Sequence, residues 1–429
     1  MSTPRYNTDA VIPGDAVQRL TDLGTADLLV GIPCFENADT IGGVITAVDA
    51  GLRKHFPGLR AVVCASDGGS SDGTVEAALA GGVGRDAERL LVPPGTQPVD
   101  KVAFRYGGPS GKGSAVRGIL DVARRLEVRA CAVVDADLRS ITPYWIDRLL
   151  APVVHHRYDF AAPLYMRHKH DGTITNALAY PLTAALYGVR IRQPIGGEFA
   201  FSGDLAARYA RDDVWRTEVA RFGIDVWLTT VAVVEGHRVC QTRLGAKLHD
   251  PKDPGSDLAP MFRQVVGTLF SLARRYDDHW LTVEGAITPP TLGFPAEFAA
   301  EPVEVSRSRL ARGFAEGRRR HAGSWDAVLS PASRAVVDGI DDAEPVLGLE
   351  SWTRMMYDFL AAARDADELR PLIDAMVPLY FARTATFVRD TEGVTDEEAE
   401  ARVETAVDVA VAAKPYLRER WAATVPAAR

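Results

Sequence analysis

Over roughly the first 165 residues, short apolar runs alternate with longer stretches of helical spacing. DLLVGIP at 27–33 is an apolar run closed by a proline, which predicts a buried strand. RAVVCAS at 60–66 and VRACAVV at 128–134 read the same way, and a further strand is predicted at 89–93. Helical spacing falls at 38–55, 72–80 and 113–126. Asp72 is placed to cap the second of these helices. Another helix is predicted to start after a capping Thr142, with Pro143 at its first position. Residues 159–164 are strand-like, with Pro163 confining that strand to an edge or a bulge.

Strands alternating with helices predict a mostly parallel α/β sheet covered on both faces. Ligands of such sheets bind outside the carboxyl ends of the strands. The polar clusters at 33–37, 66–73 and 135–137 all follow predicted strands. Past about residue 170 the alternation loosens. Helices are predicted at 173–187, 222–234 and 258–276, a loop with a short strand at 192–201, and a strand at 238–242. Pro289, Pro290 and Pro295 mark a break, and long helical stretches follow, notably 347–365 and 396–422. The expected organisation is an arm at 1–26, one α/β half at 27–165, a second half at 166–280, and a mainly helical region at 281–429.

Composition narrows the function classes. The 429 residues carry 49 Lys+Arg against 57 Asp+Glu, a formal net charge of -8, which argues against a nucleic-acid partner. No apolar run reaches the roughly 18 residues of a membrane span. Cys34, Cys64, Cys131 and Cys240 sit in apolar runs without a C-x-x-C spacing, as expected of buried free thiols. A soluble cytoplasmic protein is the expectation. Only seven positive charges are lysines, so each lysine is worth inspecting singly.

Asp135-Ala136-Asp137 directly follows an apolar strand. Alternate residues of an extended segment point the same way, so two carboxylates converge where a hard cation such as Mg²⁺ or Mn²⁺ could bind; the alternative is a pair of loop aspartates. In SDGGSSDGT the glycines allow a tight turn, and Asp67 either meets a ligand or shapes that turn. Lys112 lies between two glycines at a helix start, where it can meet a diphosphate, although the full P-loop pattern fails. His249 could complete a metal site, with Lys247 and Lys252 beside it in the loop, or belong to a solvated loop. Glu198, after Gly197, could orient an acceptor hydroxyl, act as a base, or be a strand-edge carboxylate. Asp225, in an apolar helix, either binds an acceptor or pairs with an arginine. The basic run from Arg167 to His170 could receive an anion or be solvated.

The segments IPCFENADTIGGVI, SDGGSSDGT, GKGSAVRG and VVDADL, in this order, resemble the nucleotide-sugar domain of GT-A glycosyltransferases. Through QPIGGEFAFSG and the His249 loop the chain is most similar to the retaining glucosyl-3-phosphoglycerate synthases and the related mannosyl- and glucosyl-glycerate synthases. The resemblance implies a GT-A (Rossmann-like) fold. It implies a nucleotide-sugar site of Pro33, Phe35, Glu36, Asp67, Lys112, Asp135 and Ala136, with Glu36 on the ribose and Asp67 on the base. Asp137, Asp135 and His249 would hold the metal, and Glu198 would lie near the reacting sugar. Arg167, Thr173, Thr175, Asn176, Gly197 and Asp225 would meet the acceptor. The donor would be UDP-glucose or GDP-mannose, the acceptor a small anion of the glycerate type, and the assembly a homodimer. The stretch Gly172-Thr173-Ile174-Thr175 lacks the arginine with which the phosphoglycerate enzymes grip the acceptor phosphate, so glycerate and a glycosylglycerate fit as well. Transfer to a polyprenyl phosphate, sugar-nucleotide nucleotidyltransfer and a non-catalytic sugar-nucleotide sensor are the competing readings.

Overall fold

The computed structural model describes residues 11–82, 95–248, 258–295 and 301–423. The chain forms two compact units, each assembled from three separate segments.

The first unit takes residues up to Met166, Gly196–Asp250 and Pro290–Phe298. Its strands are β1 (Leu28–Cys34), β2 (Ala61–Asp67), β3 (Val99–Arg105), β4 (Ala130–Val133), β5 (Phe160–Met166), β6 (Phe199–Ser202), β7 (Val239–Ala246) and β8 (Thr291–Leu292). They form one sheet in the order β3-β2-β1-β4-β6-β5-β7-β8. All neighbours pair in parallel except β6, which runs antiparallel to both β4 and β5. This is the mostly parallel α/β sheet that the alternation predicts.

Strand periodicity explains the two covered faces. Leu28, Val30 and Ile32 of β1 turn to one side and join a core with Val44 and Ile45 of α2 (Ala38–His55) and Ile146 and Leu149 of a helix at Pro143–His156. Gly31 turns to the other side, where a Cβ would run into Ile119 of the helix Lys112–Arg125. The four cysteines are buried free thiols. Pro163 is tolerated because β5 pairs with β6 only at Phe160 and Ala161, and a bulge follows between Leu164 and Tyr165.

Several expectations need correction. A strand that the sequence reading did not assign lies at Val99–Arg105, where charged and apolar residues alternate at a half-exposed sheet edge; the strand expected at 89–93 lies outside the described residues. Thr142 makes no side-chain cap bond. Asp72 does cap, and does so twice. One oxygen accepts from Thr74 N at the start of α3 (Thr74–Ala80), 3.0 Å away, and the other from Ala38 N at the start of α2, also 3.0 Å away.

The second unit takes Arg167–Ile195, Pro251–Pro289 and the residues from Ala299 onward. It is helical. The segment expected as one helix at 173–187 opens with a π-helical turn, Thr175–Ala179, before a helix at Tyr180–Tyr187. Tyr180 and Ala184 pack on Phe387 of the helix Leu369–Thr391 and on Val403 and Val407 of the helix Asp396–Ala412. The stretch 396–422 is two helices, because Pro415 has no N–H to continue the first one; a new helix runs from Lys414 to Ala423.

Candidate active site

Four strand ends converge on one edge of the sheet in the first unit. Asp135 leaves β4, Tyr165 lies near the end of β5, and Lys247 follows β7. Because β6 runs the opposite way, Glu198 at its start reaches the same edge. Lys112, the first residue of its helix, and Asp225, in the first turn of the helix Ile224–Val234, complete the cluster.

The contacts form an alternating chain of charge. Lys112 Nζ lies 2.7 Å from Asp135 Oδ1 and 3.4 Å from Asp225 Oδ1, and donates to Gly197 O at 3.3 Å. Lys247 Nζ lies 3.1 Å from Asp135 Oδ2 and 2.8 Å from Glu198 Oε1, and donates to Gly196 O at 3.0 Å. Tyr165 donates its hydroxyl proton to Glu198, and its ring sits against Trp145 at 5.5 Å between centroids. Burial works against the Lys112 charge, but Asp135, Asp225 and Glu198 outweigh it and hold its pKa above the ordinary range. Burial likewise opposes ionisation of Asp135, and the two ammonium groups overcome it, holding the carboxyl well below the usual value. Glu198 is pushed up to about 7, by burial first and by Asp135 beside it, against the pull of Lys247. Asp225 is also raised by burial, against Lys112.

Glycines make room for this packing. Gly197 has φ of 98°, and a Cβ there would collide with Asp135 Oδ2 and come within 2.8 Å of Lys247 Nζ. Gly113 has no space either, because the start of its helix is pressed against the backbone of Val219 and Ala220. That contact fixes where Lys112 points.

One sequence expectation changes, and another gains its surroundings. Asp225 pairs with a lysine, not with an arginine. Glu198 is fully buried, with both oxygens accepting from Lys247 and one from Tyr165. In this arrangement its carboxylate is fully engaged by Lys247 and Tyr165. Asp135, at 21% side-chain exposure, is the most open carboxylate of the cluster.

The tips of β1 and β2 form a second polar edge. Asp67 is buried and accepts from Gly69 N at 2.8 Å, Ser70 N at 3.0 Å and Ser70 Oγ at 2.6 Å, so its carboxylate shapes its own turn. Glu36, with φ of 53°, accepts from Ser71 N at 2.9 Å, while Ser70 Oγ accepts from Glu36 N at 2.8 Å. Phe35 is 59% exposed beside Gly68. Pro33 lies at the end of β1, two residues beyond its ladder with β4. Ala136 is buried, and its carbonyl accepts from Thr40 Oγ1 at 2.8 Å.

Asp137 is half-buried and makes no hydrogen bond or ion pair among the described residues. His249 and Lys252 lie outside the described residues, and among those described no three His, Cys, Asp or Glu side chains cluster as a metal site. The expected acceptor residues divide. Gly197 and Asp225 belong to the first unit, while Arg167, Thr173, Thr175 and Asn176 belong to the second. There Arg167 lies 3.3 Å from Asp171, Thr173 shares a 2.6 Å hydrogen bond with Tyr380, Thr175 is buried on the π turn, and Asn176 accepts from Arg192 at 2.9 Å. Sequence reasoning did not find Tyr165, and it read Lys247 only as a loop lysine beside His249, whereas the structure buries it among carboxylates.

Fold and site define an α/β protein with a charged cluster at the ligand-binding edge of a mostly parallel sheet. No family model matches the chain, and no curated protein does. Among solved structures, the chain is similar to glucosyl-3-phosphoglycerate synthase from Mycobacterium tuberculosis. In complex with phosphoglyceric acid, that enzyme shares 22% identity over 63% of this chain and 85% of its own, with a TM-score of 0.41. In complex with Mg²⁺ and UDP the values are 21%, 63%, 85% and 0.42. In complex with Mn²⁺, UDP-glucose and phosphoglyceric acid they are 22%, 63%, 85% and 0.40.

Proposed function

We propose that this chain is a metal-dependent retaining glycosyltransferase that moves glucose or mannose from a nucleotide sugar to a small glycerate-type anion. The observation that carries this reading is the Asp225–Lys112–Asp135–Lys247–Glu198 chain, set beside the unengaged Asp137 at the carboxyl edge of the sheet.

The residues fit a divalent cation. Three carboxylates in the cluster face two ammonium groups, and Asp137 adds a fourth carboxylate with its lone pairs free among the described residues. Asp137 would hold the metal, with Asp135 behind it; bound there, the cation would offset the negative charge of a departing diphosphate. The protein's own groups do the remaining work. Asp135 and Asp225 hold the Lys112 ammonium charged and fixed, so that its positive charge is already in place where negative charge develops on the leaving group. Lys247, clamped by Glu198 and Asp135, keeps the Asp135 carboxylate ionised and oriented. Exposed Phe35 offers a flat face to a base, and the Glu36 loop borders the place of a ribose. As the sequence resemblance to retaining enzymes implies, same-face attack by the acceptor hydroxyl is the expected course.

The test is a product assay crossing UDP-glucose and GDP-mannose, each with Mg²⁺, Mn²⁺ or EDTA, against glycerate, 3-phosphoglycerate and glucosylglycerate. Turnover that requires metal and yields an α-linked product supports the proposal. Donor binding without turnover favours the sensor reading, and no donor binding at all overturns the site.

A further inference from the structure

The helical unit contains a pocket of its own. Arg383, Arg402, Thr173, Thr384, Asn176 and Phe387 are among the residues that line it. The cavity measures about 370 Å³ counted out to its open mouth, room for a small ligand.

Its charge is unbalanced. Arg383 is 9% exposed and makes one hydrogen bond among the described residues, from a terminal guanidinium nitrogen to Leu347 O at 3.3 Å. No carboxylate lies within ion-pair distance of it among those residues. Of the two acids whose field reaches it, Asp390 is held by Arg389 at 2.6 Å, and Glu350 makes no ion pair with it. Arg402 is exposed and likewise has no described carboxylate partner. Two other arginines of this unit are matched. Arg190 lies 2.6 Å from Asp408, and Arg192 lies 2.5 Å from Glu400, both acids on the helix that carries Arg402. A buried guanidinium without a counter-charge is costly, and an anion in the pocket removes that cost.

We propose that this pocket binds the anionic group of a small organic acid or phosphate monoester, with Arg383 and Arg402 taking the charge. The ligand can be a transfer acceptor or a separate effector, since the recognising chemistry is the same. The proposal does not rest on the transfer reaction.

The test is calorimetric titration of the full chain, without donor or metal, using glycerate, 3-phosphoglycerate, inorganic phosphate and neutral glycerol. The three anions arbitrate between carboxylate and phosphate recognition. Arg402→Ala, at an exposed position, should weaken anion binding by about tenfold or more, as expected for loss of one charge-assisted contact. Arg402→Lys should recover part of that loss. Arg383→Lys tests the buried group, with circular dichroism confirming the fold. Failure of all three anions to bind at millimolar concentration overturns the proposal. So does glycerol binding as well as they do, or anion binding that Arg402→Ala and a folded Arg383→Lys leave unchanged. A chain that transfers no sugar but binds the anion in an Arg402-dependent way keeps the proposal and sinks only the transferase reading.

Discussion

Asp135 and Asp137 stand two residues apart and live in opposite surroundings. Asp135 is gripped by two lysines, whereas Asp137 has no described partner. Their substitutions should therefore separate. Asp135→Asn leaves two ammonium groups short of a counter-charge and should cost about 3–5 kcal/mol of stability, read by urea unfolding. Asp137→Ala should leave the unfolding free energy within about 0.5 kcal/mol but abolish metal-dependent donor binding and transfer. Normal transfer by Asp137→Ala would remove it from the metal site. Gly197→Ala carries a different expectation, because both its φ and its contacts exclude a side chain. It should destabilise by about 1–3 kcal/mol and depress kcat through displacement of Asp135 and Lys247; wild-type kinetics would show that the cluster tolerates the shift. At this scale the sequence made legible those residues that sit in local motifs. Asp135, Asp137 and Lys112 each follow a strand or open a helix. Tyr165 carries no such mark, since it joins the cluster only because β6 reverses direction and brings Glu198 to it.

Elements were more legible than their junctions. The helix at Ala38–His55 follows directly from its apolar spacing. The strand at Val99–Arg105 is not legible in the sequence because its half-exposed pattern, VDKVAFR, lacks the apolar run of a central strand. The last predicted helix divides at Pro415, and the short helix it opens begins with a buried lysine. Lys414 donates to Val283 O at 2.8 Å and Leu186 O at 3.4 Å, and burial, aided by Arg418, lowers its pKa to about 8 from an ordinary 10.5. Between those two values the unfolded chain binds more protons than the folded one, so this group makes stability rise with pH from about 8 towards 10.5. Urea midpoints measured at pH 7.5 and 9.5 should show that rise in the parent chain and lose it in Lys414→Met. An equal rise in both would assign it elsewhere.

For the whole molecule, the alternation of strands and helices was enough to give the sheet, but not the way in which the chain is shared between units. Sequence order suggests consecutive blocks, whereas the structure weaves three segments into each unit. Tyr180 and Ala184, read from sequence as part of one helix, find their apolar cover in residues about two hundred positions later. A chain ending at residue 300 should thus leave that surface bare. It should bind a hydrophobic dye and self-associate in sedimentation, whereas a clean monomeric truncation would show that the 167–195 segment folds without the late helices.

The woven path also sets a clock. Thr173 must wait for Tyr380, 207 residues downstream, before their hydroxyls can meet. At a synthesis rate of roughly 5–20 residues per second, that delay is on the order of 10–40 s. Throughout it the nascent helix at Tyr180–Tyr187, whose residues are all buried in the finished protein, emerges from the ribosome without the cover it will finally have. The time that this segment spends without its final cover is therefore set by the length of chain it has to wait for.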